Sequence, residues 1–392
     1  MPLLAVVALL AIAPPARDAA RHPAAAGDTP AAMSREQAAS AVASALRSSA
    51  ERSRAERAAE LGSGVISVDG ARMPVWSATY GQAAKGGLRP VWISMHGGGG
   101  APAAVNDQQW ENQKRLYRPP EGIYVAPRAP SDQWNLWHQA PVDRLFARLI
   151  EDLVICERAD PDRVYLMGYS AGGDGVYQLA PRMADRFAAA SMMAGHPNEA
   201  RPDGLRNLPF AIHVGERDAA FRRNAVAAEW GRALDALAGA DPGAYVHVVE
   251  IHPGKGHWMD REDASAVPWM ARFTRDPRPR RIVWLQDDVV HPRFYWLENP
   301  QPAQGQRVVA EREGQEIRIL EAPPGIRLRV LLDDAMCDLD RAVRVVQSGK
   351  VLFEGMVPRS RAVIERLLAD RHDPRSAFCA EAEFTTCTSA GG

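Results

Sequence analysis

The stretch Gly168-Tyr169-Ser170-Ala171-Gly172 decides the fold of this chain. An apolar run at 163–167 precedes it and predicts a buried strand, and residues 173–180 begin with glycines and then follow a helical pattern. A strand, the pattern G-x-S-x-G and a helix are the context of a nucleophile elbow. The flanking glycines let strand and helix approach without side-chain clashes. The sequence therefore predicts a strained turn that carries Ser170.

Apolar strands alternate with helices on both sides of this turn. The predicted strands are 91–95, 123–126, 164–167, 187–193, 210–214 and 246–251, and the predicted helices are 141–159, 171–185, 224–237 and 265–274. Continuous apolar strands in alternation with helices indicate a mostly parallel sheet that is covered on both faces. An alternating segment at 64–80 precedes them and predicts an antiparallel hairpin around Asp69-Gly70. The fold class is therefore α/β.

The pattern changes at the Pro- and Arg-rich linker 276–280. Short strand-like runs with turn signals predict a small, β-sandwich-like module at 280–357, followed by a helix and a loose tail at 358–392. The α/β domain is expected at 62–275. An Ala-rich linker at 27–61 includes a predicted helix that begins at the serine cap Ser34.

The N-terminal segment and the composition bear on location. Residues 1–13 are apolar and precede a small-residue stretch, which predicts a signal peptide over 1–26 and a secreted or periplasmic protein. An uncleaved, membrane-associated N-terminus is the alternative. A net charge of -1 over 392 residues argues against a nucleic-acid partner. After the N-terminus no apolar run of about 18 residues predicts a membrane span.

The cysteines are compatible with export. Cys379 and Cys387 are close in sequence and are candidates for a disulfide, whereas Cys156 lies in a helical pattern that is typical of a small core residue. The sequence has no C-x-x-C motif or Cys/His cluster, so neither a metal nor a cofactor is expected.

Three residues at predicted strand ends have the chemistry of a catalytic triad. Ser170, Asp218 and His257 follow the third, fifth and sixth predicted strands, in the chain order Ser, Asp, His. A serine hydroxyl needs a base to take its proton and an acid to orient that base. Backbone donors for an oxyanion are expected from Gly97, Gly98 and Gly99 after the first strand and from Ala171.

Other polar residues near these strand ends have alternative interpretations. His252 competes with His257 as the base, and Glu216 is adjacent to Asp218. The remaining residues are expected to pack, cap or support loops: Asp174, His96, His213 and His247.

The segments HGGGG at 96–100, GYSAGG at 168–173, GERD at 215–218 and GKGHW at 254–258 resemble the α/β-hydrolase family. They are most similar to the esterase branch with polyhydroxybutyrate-depolymerase-like, feruloyl-esterase-like and carboxylesterase-like members. The resemblance covers about residues 62–275 and implies a Ser-His-Asp triad, an acyl-enzyme and no cofactor. It implies nothing about the β module.

The aromatic residues suggest a pocket wall. Trp134, Trp137, Tyr169 and Trp258, with His196, are candidates to line it, and packing of the two loop tryptophans over the sheet edge is the alternative. In the β module, the aromatic run at 291–296 favours inter-domain core over binding of a polymer or carbohydrate.

The hydrolase interpretation has two rivals. One is a serine peptidase that resembles the prolyl-oligopeptidase catalytic domain, which the lack of a predicted propeller domain disfavours. The other is a non-catalytic binding protein with a vestigial hydrolase domain. The expected substrate is a small-molecule or polymeric ester, and the sequence leaves the oligomeric state open.

Overall fold

The computed structural model describes residues 33–83 and 86–388. The predicted signal peptide at 1–26 and the first part of the linker lie outside the described residues. Within the described ranges, every helix is too short or too polar to cross a membrane.

The main sheet has eight strands. They are β1 (Val65–Val68), β2 (Ala71–Tyr80), β3 (Arg89–Met95), β4 (Gly122–Pro127), β5 (Ala159–Tyr169), β6 (Ala189–Met193), β7 (Phe210–Gly215) and β8 (His247–His252). Their order is β1-β2-β4-β3-β5-β6-β7-β8. β2 is antiparallel to both of its neighbours, and the pairs from β4 to β8 are all parallel. This topology confirms the predicted α/β-hydrolase fold.

The hairpin between β1 and β2 turns at Asp69-Gly70, as the sequence predicts. Both residues have positive φ, 49° and 83°, and Val68 pairs with Ala71. Two central residues with positive φ define a turn whose twist matches that of the flanking strands.

The helices that cover the main sheet are α2 (Ala103–Leu116), α3 (Ala140–Cys156), α4 (Ala171–Arg182), α5 (Arg223–Ala240) and α6 (Ala266–Met270). Strands β4, β6 and β7 are buried along their whole length, as expected for strands packed on both faces. α2 was not predicted from the sequence, because the residues that this helix buries, Asn106 and Gln113, are both polar. No apolar stripe therefore marks this helix in the sequence.

The first described helix, α1 (Arg35–Ser63), confirms the prediction of a serine cap. The Ser34 hydroxyl accepts a hydrogen bond from the Gln37 N–H, and the Gln37 side chain accepts one from the Ser34 N–H. This reciprocal pair satisfies two donors that a helix start leaves without partners. α1 packs against α3 and against α7, the helix Arg361–Asp370 near the end of the chain.

The C-terminal region contains two further sheets. Its strands are β9 (Arg281–Leu285), β10 (Arg293–Phe294), β11 (Leu297–Glu298), β12 (Arg307–Glu313), β13 (Glu316–Glu321), β14 (Arg327–Leu332), β15 (Val343–Gln347), β16 (Lys350–Gly355) and β17 (Ala380–Thr385). One sheet has the order β16-β15-β13-β12-β9 and the other the order β10-β11-β14-β17.

The prediction of a loose tail is wrong for the last strand. β17 pairs antiparallel with β14 from Arg327↔Thr385 to Leu332↔Ala380. Its buried residues are Ala380, Ala382 and Phe384, which alternate with more exposed ones. A period of two is typical of a strand that buries one face, and the buried face of β17 therefore packs inside the module.

Cys379 and Cys387, which the sequence offers as candidates for a disulfide, are not bonded to each other in the structure. Both cysteines are free, and they flank β17 on opposite ends. An extended strand of 6 residues separates its ends by about 20 Å, whereas a disulfide needs Cα atoms about 6 Å apart.

The aromatic run at 291–296 is part of a buried contact with the α/β part of the chain, as the core interpretation predicts. Phe294, Tyr295 and Trp296 are each at most 3% exposed. The Tyr295 hydroxyl donates a hydrogen bond to the Ala184 carbonyl just after α4.

Arg275 forms a buried ionic hub where the two parts meet. Its guanidinium lies 2.8 Å from carboxylate oxygens of both Asp162 and Asp373 and donates to the Asp185 carbonyl. The side chains of Arg275, Asp162 and Asp373 are 3%, 8% and 7% exposed. Removal of one member of such a group is strongly destabilising, because it leaves a buried charge without its partner.

We therefore expect Arg275→Ala to lower the free energy of unfolding by about 3–5 kcal/mol, because Asp373 loses its buried ion-pair partner and Asp162 keeps only its contact with Arg375. Urea-induced unfolding measures the loss. Arg232→Ala is the control, since Arg232 is exposed on α5, and its change should stay within about 0.5 kcal/mol. Equal losses in the two variants would contradict the assigned role of Arg275.

Candidate active site

Ser170, His257 and Asp218 form one chain of hydrogen bonds. Ser170 Oγ lies 2.9 Å from His257 Nε2, and His257 Nδ1 lies 2.8 Å from Asp218 Oδ2. The Asp218 side chain is 1% exposed, whereas that of His257 is 43% exposed. A carboxylate only accepts hydrogen bonds, so it holds the imidazole proton on Nδ1 and leaves the Nε2 lone pair toward the serine.

The strands of the sheet bring these residues together. Ser170 follows β5, Asp218 follows β7 and His257 follows β8, all at the carboxyl edge of the parallel sheet. The loops after β7 and β8 are also bonded to each other. The Arg217 N–H donates to the Lys255 carbonyl, and the Gly254 N–H donates to the Glu216 carboxylate. Glu216 therefore braces the loop pair, and Asp218 is the acid that faces His257.

The turn at Ser170 has the strained backbone that the sequence predicts. Its φ is 58° and its ψ is -122°, and its N–H donates to the Met193 carbonyl over 2.9 Å. A Cβ on Gly168 would lie 2.2 Å from the Gly172 carbonyl oxygen, and one on Gly172 would lie 2.2 Å from that of Met95. Only glycine fits at these two positions.

His252, the competing base, does not contact the serine. It is buried, and its Nε2 faces His213 Nδ1 at 3.2 Å while its Nδ1 faces a Glu262 oxygen at 3.3 Å. His247 is a satisfied sheet histidine, as expected, with its ring nitrogens 2.7 Å from the Tyr245 carbonyl and 3.1 Å from Asp235.

Tyr169 holds the loop that carries His257. Its hydroxyl donates to the His257 carbonyl over 2.6 Å and accepts from the Met259 N–H over 3.2 Å. Burial raises the pKa of the Tyr169 phenol, which therefore stays protonated as a donor. The residue that precedes the serine thus fixes the backbone of the histidine.

His96 supports the glycine loop after β3, as the sequence analysis expects. Its Nδ1 donates to the Gly97 carbonyl over 2.6 Å, and its Nε2 accepts from the Ala129 N–H over 3.0 Å. Burial lowers the pKa of His96 to about 4, so the ring is neutral at pH 7 and suits both bonds. The Trp137 indole donates to the His96 carbonyl.

Trp137 is therefore not part of the pocket wall, and that expectation is corrected. Its side chain is 0% exposed and packs beneath the glycine loop. Its large apolar ring is buried because its indole N–H finds a backbone partner there.

The oxyanion donors expected from the glycines need one correction. The Gly99 N–H donates to Asn106 Oδ1 over 2.8 Å, so it is already engaged. Asn106 lies on α2 and is oriented by Asp132, which accepts from its amide nitrogen at 2.9 Å. Within the described ranges, no hydrogen bond engages the N–H groups of Gly97, Gly98 or Ala171.

Two cavities meet at Ser170. The first encloses about 280 Å³ and has the polar or charged side chains of Asp174, His196 and Arg223 in its lining. Trp134 and Phe221 line it from the rim and are 61% and 76% exposed.

The second cavity encloses about 460 Å³ and is more apolar. Val105 and Leu116 of α2 line it together with Tyr169 and Trp258. Four of the five residues predicted to line a pocket thus line one of the two cavities: Trp134 and His196 the first, Tyr169 and Trp258 the second.

Sequence reasoning missed the residues that α2 and the turn before α5 contribute. Phe221 and Arg222 both have positive φ, 54° and 57°, which nothing in their residue types indicates. This turn places Arg223 beside the first cavity, with its Nη1 atom 3.7 Å from Asp218 Oδ1.

Asp174 lines the first cavity and bonds the loop that carries His196. Its carboxylate accepts from the His196 N–H over 2.6 Å, which fixes the loop after β6. Burial raises the pKa of Asp174 to about 6, although the bond from His196 opposes the shift. An acid with a raised pKa in the folded state binds more protons there than in the unfolded chain.

We expect Asp174 to make stability fall as pH rises from about 4 to about 6, because its charged form is disfavoured only in the folded protein. Asp174→Asn keeps an acceptor for the His196 N–H and removes the titration. Urea unfolding measures the free energy of unfolding of both proteins. Relative to wild type, that of the variant should rise across this pH interval by up to about 3 kcal/mol. A difference that does not change with pH would contradict the assignment.

Comparison with known proteins gives a partial sequence match. The chain is 30% identical over 142 residues to the "Putative esterase NocK" of Nocardia uniformis subsp. tsuyamanensis. The match covers 33% of this chain and spans 40% of the length of that protein. No model of a known protein family matches the chain.

Solved structures overlap with about half of the chain. The alignment with a thermostable esterase covers 54% of this chain and 62% of the esterase chain, with 17% identity and a TM-score of 0.44. The alignment with LpqC, a poly(3-hydroxybutyrate) depolymerase from Bordetella parapertussis, covers 53% of this chain and 86% of LpqC, with 20% identity and a TM-score of 0.38. By its own strand order the chain has the α/β-hydrolase fold, and in sequence it is similar to a protein named as an esterase.

Proposed function

We propose that this chain is a serine hydrolase that cleaves carboxylic esters through an acyl-enzyme on Ser170. The observation that carries the proposal is the pair of hydrogen bonds from Ser170 to His257 and from His257 to Asp218. The similarity to a protein named as an esterase supports the choice of ester over other acyl substrates. The catalytic domain is proposed to span 62–275 and the β module to begin at 280.

Acylation begins at the serine hydroxyl. His257 Nε2 accepts the Ser170 proton as Oγ attacks the ester carbonyl, and Asp218 stabilises the imidazolium that forms. The carbonyl oxygen becomes an oxyanion, and the unengaged N–H groups of Gly97, Gly98 and Ala171 are the proposed donors to it. Ala171 is the first residue of α4, so the positive end of the helix dipole adds to this stabilisation.

The tetrahedral intermediate then collapses. His257 returns the proton to the leaving alcohol, and the acyl group stays bonded to Ser170 Oγ. A water molecule, activated by the same imidazole, attacks the acyl carbonyl and releases the acid. Apart from the ester and this water molecule, every group that acts in these steps belongs to the chain itself.

The two cavities suit the two sides of an ester. Because they meet at Ser170, a carbonyl there extends its acyl group into one and its alcohol into the other. The apolar lining of the larger cavity fits an alkyl or aryl group. The smaller cavity has Asp174 and Arg223 in its lining, which suits a group that carries a hydroxyl or a charge.

The cellular location stays a proposal that rests on the sequence. The apolar N-terminal segment and the small residues up to 26 have the pattern of a signal peptide, and we propose on this ground that the mature chain is periplasmic or secreted. The proposed substrate, a small-molecule or polymeric ester, is compatible with that location.

The first test is the hydrolysis of p-nitrophenyl esters by wild type and by Ser170→Ala. We expect kcat to fall by at least about 10⁴-fold, because the nucleophile is removed. Ser191→Ala is the matched control, since Ser191 is a buried serine on β6 outside the site. The proposal is wrong if Ser170→Ala retains the activity of the control.

The same proteins separate the two rival functions. Aminoacyl p-nitroanilides test for a peptidase, and turnover of the anilides alone would overturn the choice of ester. A fluorophosphonate probe tests for a non-catalytic protein, which would leave wild type unlabelled.

A second prediction concerns Tyr169. Tyr169→Phe removes the hydroxyl that fixes the His257 carbonyl, and we expect kcat to fall about three- to tenfold with little change in KM. Tyr165→Phe is the control, because its hydroxyl bonds the Phe273 carbonyl away from the site. If both variants lose stability equally and neither loses kcat, Tyr169 has only a structural role.

A further inference from the structure

A second cluster of polar side chains lies on the two strands that precede Asp218 and His257. It consists of His213 on β7 with Glu250 and His252 on β8. His213 pairs directly with Glu250 in the parallel register, and His252 is two residues further along the same strand. Side chains two residues apart on a strand share a face, so the three groups converge on one side of the sheet.

The distances within the cluster match those between the ligands of one metal ion. His213 Nδ1 lies 3.2 Å from His252 Nε2 and 3.6 Å from a Glu250 carboxylate oxygen. A tetrahedral zinc ion with bonds of about 2.1 Å holds its ligand atoms about 3.4 Å apart. Three such atoms, two nitrogens and one oxygen, make the ligand set that zinc takes when one position stays open.

A second layer of groups orients these ligands. His252 Nδ1 lies 3.3 Å from a Glu262 oxygen, which places the ring proton on Nδ1 and the lone pair on Nε2. A carboxylate behind a ligating imidazole is the usual support of a metal-bound histidine. The Ser265 hydroxyl donates to the Glu250 oxygen that faces His213, over 3.2 Å.

Burial and access also fit a bound ion. The side chains of His213 and His252 are 1% and 8% exposed, whereas that of Glu250 is 43% exposed. Glu250 therefore leaves one side of the cluster open to solvent.

We propose that His213 Nδ1, His252 Nε2 and the Glu250 carboxylate bind a divalent transition-metal ion of the zinc type. The ion joins β7 to β8 just before the loops that carry Asp218 and His257. It therefore stabilises the spacing of the acid and the base without contact with substrate. The proposal does not depend on the proposed function, because the site is separate from Ser170.

Calorimetric titration of the metal-free full chain with ZnCl₂ tests the site. We expect one ion per chain, a rise in Tm with zinc, and with Co²⁺ the absorption of a tetrahedral centre. Glu250→Gln and His252→Asn should each weaken zinc binding by more than about tenfold. His247→Asn is the matched control on the same strand and should bind as wild type does.

Three outcomes would overturn the proposal. They are no zinc uptake by wild type, equal uptake by wild type and both ligand variants, and loss of uptake in His247→Asn. Glu250 is partly exposed, so Glu250→Gln keeps the test valid if His252→Asn does not fold. Ser170→Ala should bind zinc as wild type does, which separates this result from any failure of the proposed catalysis.

Discussion

The strained turn at Ser170 is the constraint on which the rest of this structure depends. A non-glycine residue at φ 58° and ψ -122° costs of the order of 1–3 kcal/mol and persists only where its surroundings fix it. Here β5 delivers the serine between β3 and β6, and the Ser170 N–H is bonded to β6. Gly168 and Gly172 remove the side chains that would separate strand from helix. The hydroxyl is thus presented at the edge of the sheet by packing of the whole domain.

The same sheet positions the partners of the serine. Parallel strands end at one edge, so β7 and β8 bring Asp218 and His257 to the side where β5 ends. Bonds between the two loops, and the Tyr169 hydroxyl on the His257 carbonyl, then define the distances. Burial of Asp218 strengthens its interaction with the imidazole, because little water screens the charge. The site therefore combines a rigid sheet with short, cross-bonded loops.

Features that depend on local pattern were predictable from the sequence. The alternation of apolar strands and helices is visible residue by residue, and so are the turn at Ser170 and the hairpin at 69–70. Features that depend on a distant partner were not. The N–H of Gly99 is engaged by a side chain from a helix without an apolar stripe, and Trp137 turns inward to a backbone carbonyl. The pairing of β17 and the His213 cluster likewise arise only when separate strands meet.

The central claim is that a covalent acyl group forms on Ser170. Wild type mixed with p-nitrophenyl acetate and quenched in acid within milliseconds traps the intermediate, and mass spectrometry locates it. The account predicts one acetyl group per chain, on the tryptic peptide 164–182 and at Ser170 within it. Turnover of the ester with no acetyl group on this peptide, or with the acetyl group on another residue, would contradict it.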